Sequence, residues 1–207
     1  MSTWISSAAL AGAALALAAC DAARPGGPPA REAVVARGAV VVKAPPGYCV
    51  DRAAVRDSAT GSFVLLASCA SLAPESEGPR ALPALMTVSV SAADPALAPP
   101  DAAALTAAAP VEVLAARQRG ALALAHLAEG GAEVLPGGDP RHWRGAARAG
   151  ERVVGLALYA PTDSPLAGEA GANLLAALAA RIETRAVAPA EALEPDGVGT
   201  MFAGLFN

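Results

Sequence analysis

Apolar residues in the middle of the chain either alternate with polar ones or cluster in short runs. Over residues 86–91, Met and two Val alternate with Thr and two Ser, which is the period of two of a half-buried strand. Segment 63–69 is almost wholly apolar and of strand length, which predicts a core strand buried on both faces. A β-branched run at 34–42 precedes Pro45-Pro46-Gly47 and predicts a first strand that ends near Lys43.

Two later segments have the pattern of β-hairpins. In the first, alternation begins at Val111, a turn is expected at 117–120, and a second arm continues to Leu127. The many alanines of this segment also favour a helix, but a Gly in the middle of a helix costs about 1 kcal/mol. We therefore predict a hairpin.

The second hairpin has arms at 142–148 and Arg152–Tyr159, with a turn at Ala149-Gly150. We expect the alternate apolar residues of its second arm to face the core. These residues are Val154, Leu156 and Leu158.

Two helices are also expected. Asp101 can cap a short Ala-rich helix that ends before Pro110, because proline restricts the residue before it. Ser164, directly before a proline, is a typical helix start, and Arg181 and Arg185 suit the C-terminal end of the helix that follows. The apolar residues that this helix places on one face are Leu174, Leu175, Leu178 and Ile182.

These elements follow one another as three strands, a short helix, four strands in two hairpins and a closing amphipathic helix. This order predicts an α+β domain with a mostly antiparallel sheet. The domain is expected to cover residues 33–187. A flexible spacer rich in Pro and Gly would precede it at 20–32, and a C-terminal tail would follow at 188–207.

The first residues of the chain have the features of an export signal. Their apolar run, 4–19, is shorter than the roughly 20 residues that a bilayer-spanning helix needs, which favours a signal peptide at 1–19. The segment Leu17-Ala18-Ala19-Cys20 resembles the lipobox of bacterial lipoproteins, although Met1-Ser2-Thr3 carries no Lys or Arg.

The lipobox resemblance implies cleavage before Cys20, a lipid on that cysteine, and attachment to the cell membrane facing the periplasm. Asp21 then favours the inner membrane. An ordinary secretory signal, for which residues 16–18 serve as an A-x-A cleavage site, is the alternative, and it leaves Cys20 as a free thiol.

Lipid on Cys20 leaves Cys49 and Cys69 as an even pair among the three cysteines. In an oxidising compartment we expect a disulfide between them. A reactive or metal-binding thiol is the alternative, but no CxxC occurs and neither histidine is near in sequence.

Composition narrows the class of partner. Hydrophobic residues make up 54% of the chain but aromatic residues only 3%, so the core must be built from Val, Leu and a few large side chains. A net charge of -4, with both signs mixed along the chain, argues against nucleic acid, whose binding needs a basic patch.

The element order, the segments Gly-Tyr-Cys-Val-Asp (47–51) and Phe-Val-Leu-Leu-Ala-Ser-Cys (63–69), and the stretch 142–182 resemble a family of uncharacterised alphaproteobacterial envelope proteins. That resemblance implies a location in the envelope and no mechanism. The order is also loosely similar to a PsbP/Mog1-like sandwich, which is the alternative fold.

The densest polar group surrounds His142 and includes Asp139, Arg141, Trp143 and Arg144. Such a group can supply a general base or an anion site. A solvated loop that enters a strand, with Trp143 packed on the sheet, accounts for the same residues.

Other candidates for chemistry are weaker. His126 ends an apolar arm and is expected to be structural or exposed rather than a ligand. Ser68 could complete a triad with His142 and Asp139, but it lacks the Gly-x-Ser-x-Gly elbow and lies in a predicted strand. We therefore assign no catalytic residue, no cofactor and no metal.

Two functions remain at this stage. The first is a non-enzymatic, membrane-anchored envelope lipoprotein that takes part in assembly or interaction with envelope proteins, through its sheet face or its tail. The apolar residues of the tail that could contact a partner are Met201, Phe202, Leu205 and Phe206. The alternative is a small-molecule carrier or sensor that holds its ligand between sheet and helices.

Overall fold

A computed structural model describes residues 29–75 and 79–186. The predicted signal peptide, the lipid site at Cys20 and the tail residues Met201, Phe202, Leu205 and Phe206 lie outside the described residues. Within the two described ranges, no helix is both long enough and apolar enough to span a membrane.

Antiparallel strands dominate the fold, as the sequence predicts. Every strand pair in the described residues is antiparallel. The strands are β1 (Glu32–Val35), β2 (Val40–Lys43), β3 (Tyr48–Val50), β4 (Arg56–Asp57), β5 (Gly61–Ser68), β6 (Leu85–Ser91), β7 (Val113–Arg119), β8 (Leu122–Leu127), β9 (His142–Ala149), β10 (Arg152–Tyr159) and β11 (Ile182–Thr184).

The strands form two sheets. The main sheet has the order β3-β5-β6-β10-β9-β8-β7, and β4 pairs with β5 beside it. The small sheet has the order β1-β2-β11. An isolated bridge from Ala30 to Val50 connects the residues before β1 to the edge of the main sheet, so backbone pairing begins inside the segment predicted as a spacer.

Both predicted hairpins are confirmed, although residues 117–119 of the expected first turn belong to strand β7. Strands β7 and β8 meet at Gly120, and β9 and β10 meet at Gly150; these glycines have φ of 58° and 61°. A positive φ is strained for a residue with a Cβ, which explains why glycine marks each turn. Half-burial of β6 is confirmed too, because Met86, Val88 and Val90 are buried.

The prediction that segment 63–69 is buried on both faces is wrong. Along β5 the side chains alternate: Val64 and Leu66 are fully buried, whereas Phe63 is exposed. The run is apolar on both faces, but helices cover only part of the second face of the sheet. Cys69 is not in the strand, because it begins a short helix.

The prediction of a single strand that ends near Lys43 is also wrong, because this segment forms two strands, β1 and β2. The turn between them uses Ala36 and Arg37 at φ of 56° and 57°, which are left-handed values that sequence reasoning assigns to Gly or Asn. The Asp57 carboxylate holds this turn, since it accepts hydrogen bonds from the backbone N–H of Ala36 (2.8 Å) and of Arg37 (3.2 Å).

Four helices occur in the described part of the chain: α1 (Cys69–Leu72), α2 (Ala102–Ala107), α3 (Gly131–Val134) and α4 (Glu169–Ala179). The predicted cap of α2 is confirmed, because the Asp101 carboxylate accepts a hydrogen bond from the Ala104 N–H at 2.7 Å. The predicted helix start at Ser164 is wrong. Ser164 caps a separate 3-10 turn at Pro165–Ala167, and Ile182 lies in β11 instead of the helix.

The core lies on one face of the main sheet, beneath α4 and the small sheet. Val154, Leu156 and Leu158 face it, as predicted, and they pack in one cluster with Leu175 and Leu178 of α4. The helix approaches closely at Gly171, where a Cβ would overlap the carbonyl oxygen of Leu166. The absence of a side chain at Gly171 lets the helix lie against the 3-10 turn.

The predicted disulfide between Cys49 and Cys69 is confirmed. It joins β3 to the first residue of α1, with the two Cα atoms 4.9 Å apart. Both cysteines are buried. The bridge therefore ties the short edge strand β3 to the helix that follows β5.

Candidate functional site

An open groove of about 720 Å³ lies on the face of the main sheet opposite the core. Strands β6, β8, β9 and β10 form its floor, while α2 and the segment 129–134 form its walls. The lining residues are Thr87, Ser89, Leu105, Ala108, Ala109, Pro110, Val111, Ala125, Leu127, Glu129, Gly130, Glu133, Val134, His142, Arg144, Gly145, Ala146, Gly155, Leu156 and Ala157.

Small side chains keep the floor of the groove open. Ala157 pairs with Thr87 and with Arg144 across neighbouring strands, and Gly155 pairs with Ser89 in the next row. Cross-strand neighbours on one face are close enough to fill the space between them when they are large. Apart from Arg144, these neighbours are Ala, Gly, Ser and Thr, so space is left above the sheet.

Helix α2 is attached to the edge of the sheet as one wall of the groove. Besides the Asp101 cap, the side-chain oxygen of Gln118 on β7 accepts a hydrogen bond from the Ala102 N–H at 3.1 Å. Leu105 on this helix lines the groove. The Asp101 cap stabilises the first turn of the helix, and the Gln118 hydrogen bond ties that turn to β7, so that an apolar wall lies over the small side chains of the floor.

His142 is the most buried ionisable side chain of the groove, at 4% exposure. Its ring stacks on that of Tyr159, with 5.1 Å between centroids, and its Nε2 accepts a hydrogen bond from Nε of Arg144 at 3.2 Å. A neutral imidazole that accepts at Nε2 carries its proton on Nδ1. Burial, followed by the Arg144 guanidinium, lowers the pKa of His142 below its usual range.

Asp139 lies beside this site and is engaged by Arg141. Its carboxylate accepts hydrogen bonds from the backbone N–H and Nε of Arg141, both at 2.9 Å, and from a terminal nitrogen at 2.8 Å. These bonds hold the pKa of Asp139 below its usual range. The alternative of a solvated loop is wrong for Asp139 and His142, because both are buried.

Trp143 packs on the sheet as expected, at 1% exposure, and its indole N–H donates to the Gly168 carbonyl oxygen at 2.8 Å. It faces the core, so it points away from the groove. His126 stacks on this indole with 4.4 Å between ring centroids. The guanidinium of Arg117 also lies over the Trp143 ring, 5.4 Å from its centroid. The structure thus places His126 and His142 on opposite faces of the sheet.

His126 has a packing role rather than a place in the groove. The ring is half-buried, and no described group forms a hydrogen bond with its Nε2. Burial lowers its pKa. The carbonyl oxygen of Ala167 lies near the ring and opposes that shift.

The structure does not assemble Ser68, His142 and Asp139 into a triad. The Ser68 hydroxyl is hydrogen-bonded to the Ser71 hydroxyl at 2.5 Å and caps α1, while Asp139 is bonded to Arg141 and not to His142. In the two described ranges, no group of three or more His, Cys, Asp or Glu side chains could hold a metal ion.

Sequence reasoning found His142 and Arg144 but missed the groove around them. Its floor is encoded by small residues on the second face of four strands, such as Ser89, Ala125, Ala146 and Gly155. The small polar residues of β6, Thr87 and Ser89, indicate a face without a packed core, but the same pattern is typical of a face open to solvent. No protein-family model matches the chain, and no curated protein matches its sequence.

Proposed function

We propose that this protein is a non-enzymatic binding module of the cell envelope that holds a small ligand in the groove. The volume of the groove, about 720 Å³, is the observation that carries the proposal. Small-molecule sites in proteins occupy roughly 300–1,000 Å³ and combine apolar walls with a few polar groups. Of the two functions expected from the sequence, the groove favours the carrier or sensor.

The envelope location is part of the same proposal. A buried disulfide between Cys49 and Cys69 supports it, because such bonds form and persist in oxidising compartments. A signal peptide at 1–19 and lipid on Cys20 would place the groove beside the membrane, facing the periplasm. Asp21 remains the reason to favour the inner membrane.

A neutral apolar dye such as Nile red tests the proposal on the full chain. We expect saturable binding to the wild type, seen as increased dye fluorescence. Ala146→Phe should abolish it, because Ala146 is half-exposed on the floor of the groove and a phenyl ring there occupies the space.

Ala177→Phe is the matched control, because Ala177 is exposed on α4, which packs on the other face of the sheet from the groove. Circular dichroism and thermal melting of each variant establish that it is folded. Dye binding that is equal in wild type and Ala146→Phe, or no binding at all, contradicts the proposal.

An interaction role is a second candidate, favoured by the edge strand β7. In the described residues nothing pairs with the outer edge of β7, and Leu114 on it is 46% exposed. Extended peptides add to such edges through backbone hydrogen bonds.

Crosslinking in native membranes tests this role. A specific crosslinked partner should be lost with Leu114→Asp but kept with Leu82→Asp, a change at another exposed leucine. Loss of the partner only when residues 198–207 are deleted would assign it to the tail.

A further inference from the structure

The groove contains three charged side chains that form no ion pair with another described residue. Arg144, Glu129 and Glu133 all line it and are exposed. The ion pairs of the described residues involve other cations, namely Lys43, Arg117, Arg119 and Arg141. A mostly apolar groove thus offers one positive and two negative groups to whatever occupies it.

Arg144 is oriented for an acidic group. Its Nε donates to Nε2 of the buried His142 at 3.2 Å, which directs one edge of the guanidinium at the histidine. The terminal nitrogens make no hydrogen bond with another described residue. A guanidinium presents these nitrogens as a fork that fits carboxylate or phosphate oxygens.

The two glutamates line the groove from the wall segment 129–134, next to His142, whose ring lies near the Gly130 backbone. A ligand with only a negative charge would meet them as like charges, and a ligand with only a positive charge would meet Arg144. A ligand that carries both charges complements all three side chains.

The apolar walls of the groove favour a ligand that also carries an apolar part. Leu105, Val111, Leu127 and Val134 line the groove with apolar surface, and the floor adds alanines. A free amino acid or other small zwitterion leaves this surface uncovered, whereas an attached apolar chain buries it.

We propose that the ligand is a zwitterionic amphiphile, with an acidic group on Arg144, an ammonium group at Glu129 and Glu133, and an apolar chain along the walls. This inference rests on the proposed binding function. A lipid anchor on Cys20 would hold the groove where such amphiphiles are concentrated.

Four probes with the same acyl or alkyl chain length test the charge requirement: lauroyl lysophosphatidylethanolamine, laurate, dodecylammonium and the neutral monolaurin. Each is measured by equilibrium dialysis below its critical micelle concentration. The protein is the full chain with Cys20→Ser, which prevents lipidation and leaves the described residues unchanged. We expect the zwitterion to bind about tenfold or more tightly than monolaurin, since a hydrogen bond to a charged group contributes roughly that factor.

Variants that remove one sign of charge at a time test which side chain binds which group of the ligand. Arg144→Gln should weaken the zwitterion and laurate about tenfold and leave monolaurin unchanged. Glu129→Gln with Glu133→Gln should weaken the zwitterion and dodecylammonium only. Arg52→Gln, which removes an exposed arginine outside the groove, is the control and should change nothing.

The outcomes separate the two proposals. Equal binding of all four probes, unaffected by Arg144→Gln, overturns the zwitterion and leaves a binding groove. Laurate that binds the wild type as tightly as the zwitterion does, together with zwitterion binding that is unchanged by the glutamate changes, also overturns it in favour of a simple anion. If none of the four probes binds and Nile red does not bind either, the proposed function itself fails.

Discussion

At the scale of residues, the two histidines show how the same side chain serves two faces of one sheet. His126 packs against Trp143 on the core face, and His142 packs against Tyr159 on the groove face. Each ring has one nitrogen without a hydrogen-bond partner among the described groups, Nε2 of His126 and Nδ1 of His142. Both sites therefore favour the neutral imidazole.

This burial predicts loss of stability in mild acid. The pKa values of His126 and His142 are lowered on folding, so the unfolded chain binds more protons when the pH lies below the ordinary histidine pKa of about 6.5. Stability is then complete above that pH and declines as the pH falls toward the folded-state values. Urea unfolding across a pH series should show this decline.

The double variant His126→Phe with His142→Phe is the comparison, because phenyl rings can keep the two stacking contacts and do not titrate. Its unfolding free energy should depend less on pH between roughly 5 and 6.5. Asp57 and Asp139 do not interfere, because their pKa values lie below the usual carboxylate range. An unchanged pH dependence in the double variant would show that neither histidine is responsible.

At the scale of elements, the disulfide links β3 to α1 across a sequence separation of 20 residues. Replacing both Cys49 and Cys69 by Ala should lower the unfolding free energy by about 3 kcal/mol, on the model in which the bond restricts the unfolded chain. Denaturant titration measures the change. Reduced wild type should resemble the double variant, and a wild type that is insensitive to reductant would contradict the bridge.

The contact between α4 and the 3-10 turn depends on Gly171. Gly171→Ala places a Cβ against the carbonyl oxygen of Leu166 and near the Trp143 ring. Overpacking of this kind costs typically about 1–3 kcal/mol, which exceeds the gain of up to about 1 kcal/mol from alanine's helix propensity. We expect net destabilisation in thermal melting.

Ala177→Gly on the exposed face of the same helix measures the propensity effect alone. It should cost about 1 kcal/mol. If Gly171→Ala stabilises the protein by a similar amount, the close approach of α4 to the turn is not a constraint.

At the scale of the whole molecule, the proposed lipid anchor on Cys20 predicts a defined mature form. Intact mass spectrometry of the membrane fraction should find a chain that begins at Cys20 and carries a diacylglyceryl group. In the Cys20→Ser variant, this lipidated chain should be absent from the membrane fraction. Several acyl chains bind a bilayer almost irreversibly, because each buried CH₂ contributes about 0.8 kcal/mol. A mature chain that begins at another residue would support the ordinary secretory signal.

Local pattern was sufficient for much of this fold. The period of two in β6, the glycines at 120 and 150, the Asp101 cap and the pairing of Cys49 with Cys69 were all predictable, because each depends on neighbours in sequence or on counting. The turn at Ala36 and Arg37 was not. Asp57, twenty residues further along the chain, satisfies the N–H groups of this turn, and its local signal is a single glycine, Gly38, at φ of 91°.

The groove could not be predicted from the sequence for the same reason, because it depends on contacts between residues that are distant in the chain. Its floor joins residues from β6, β8, β9 and β10 that are up to seventy positions apart, and each alone is an ordinary small side chain. Sequence identifies the strands and the polar group around His142. Strand order and register set Arg144 among Ala125, Ala157 and Thr87 and leave the space above them open, because burial and cavity volume depend on which strands are adjacent.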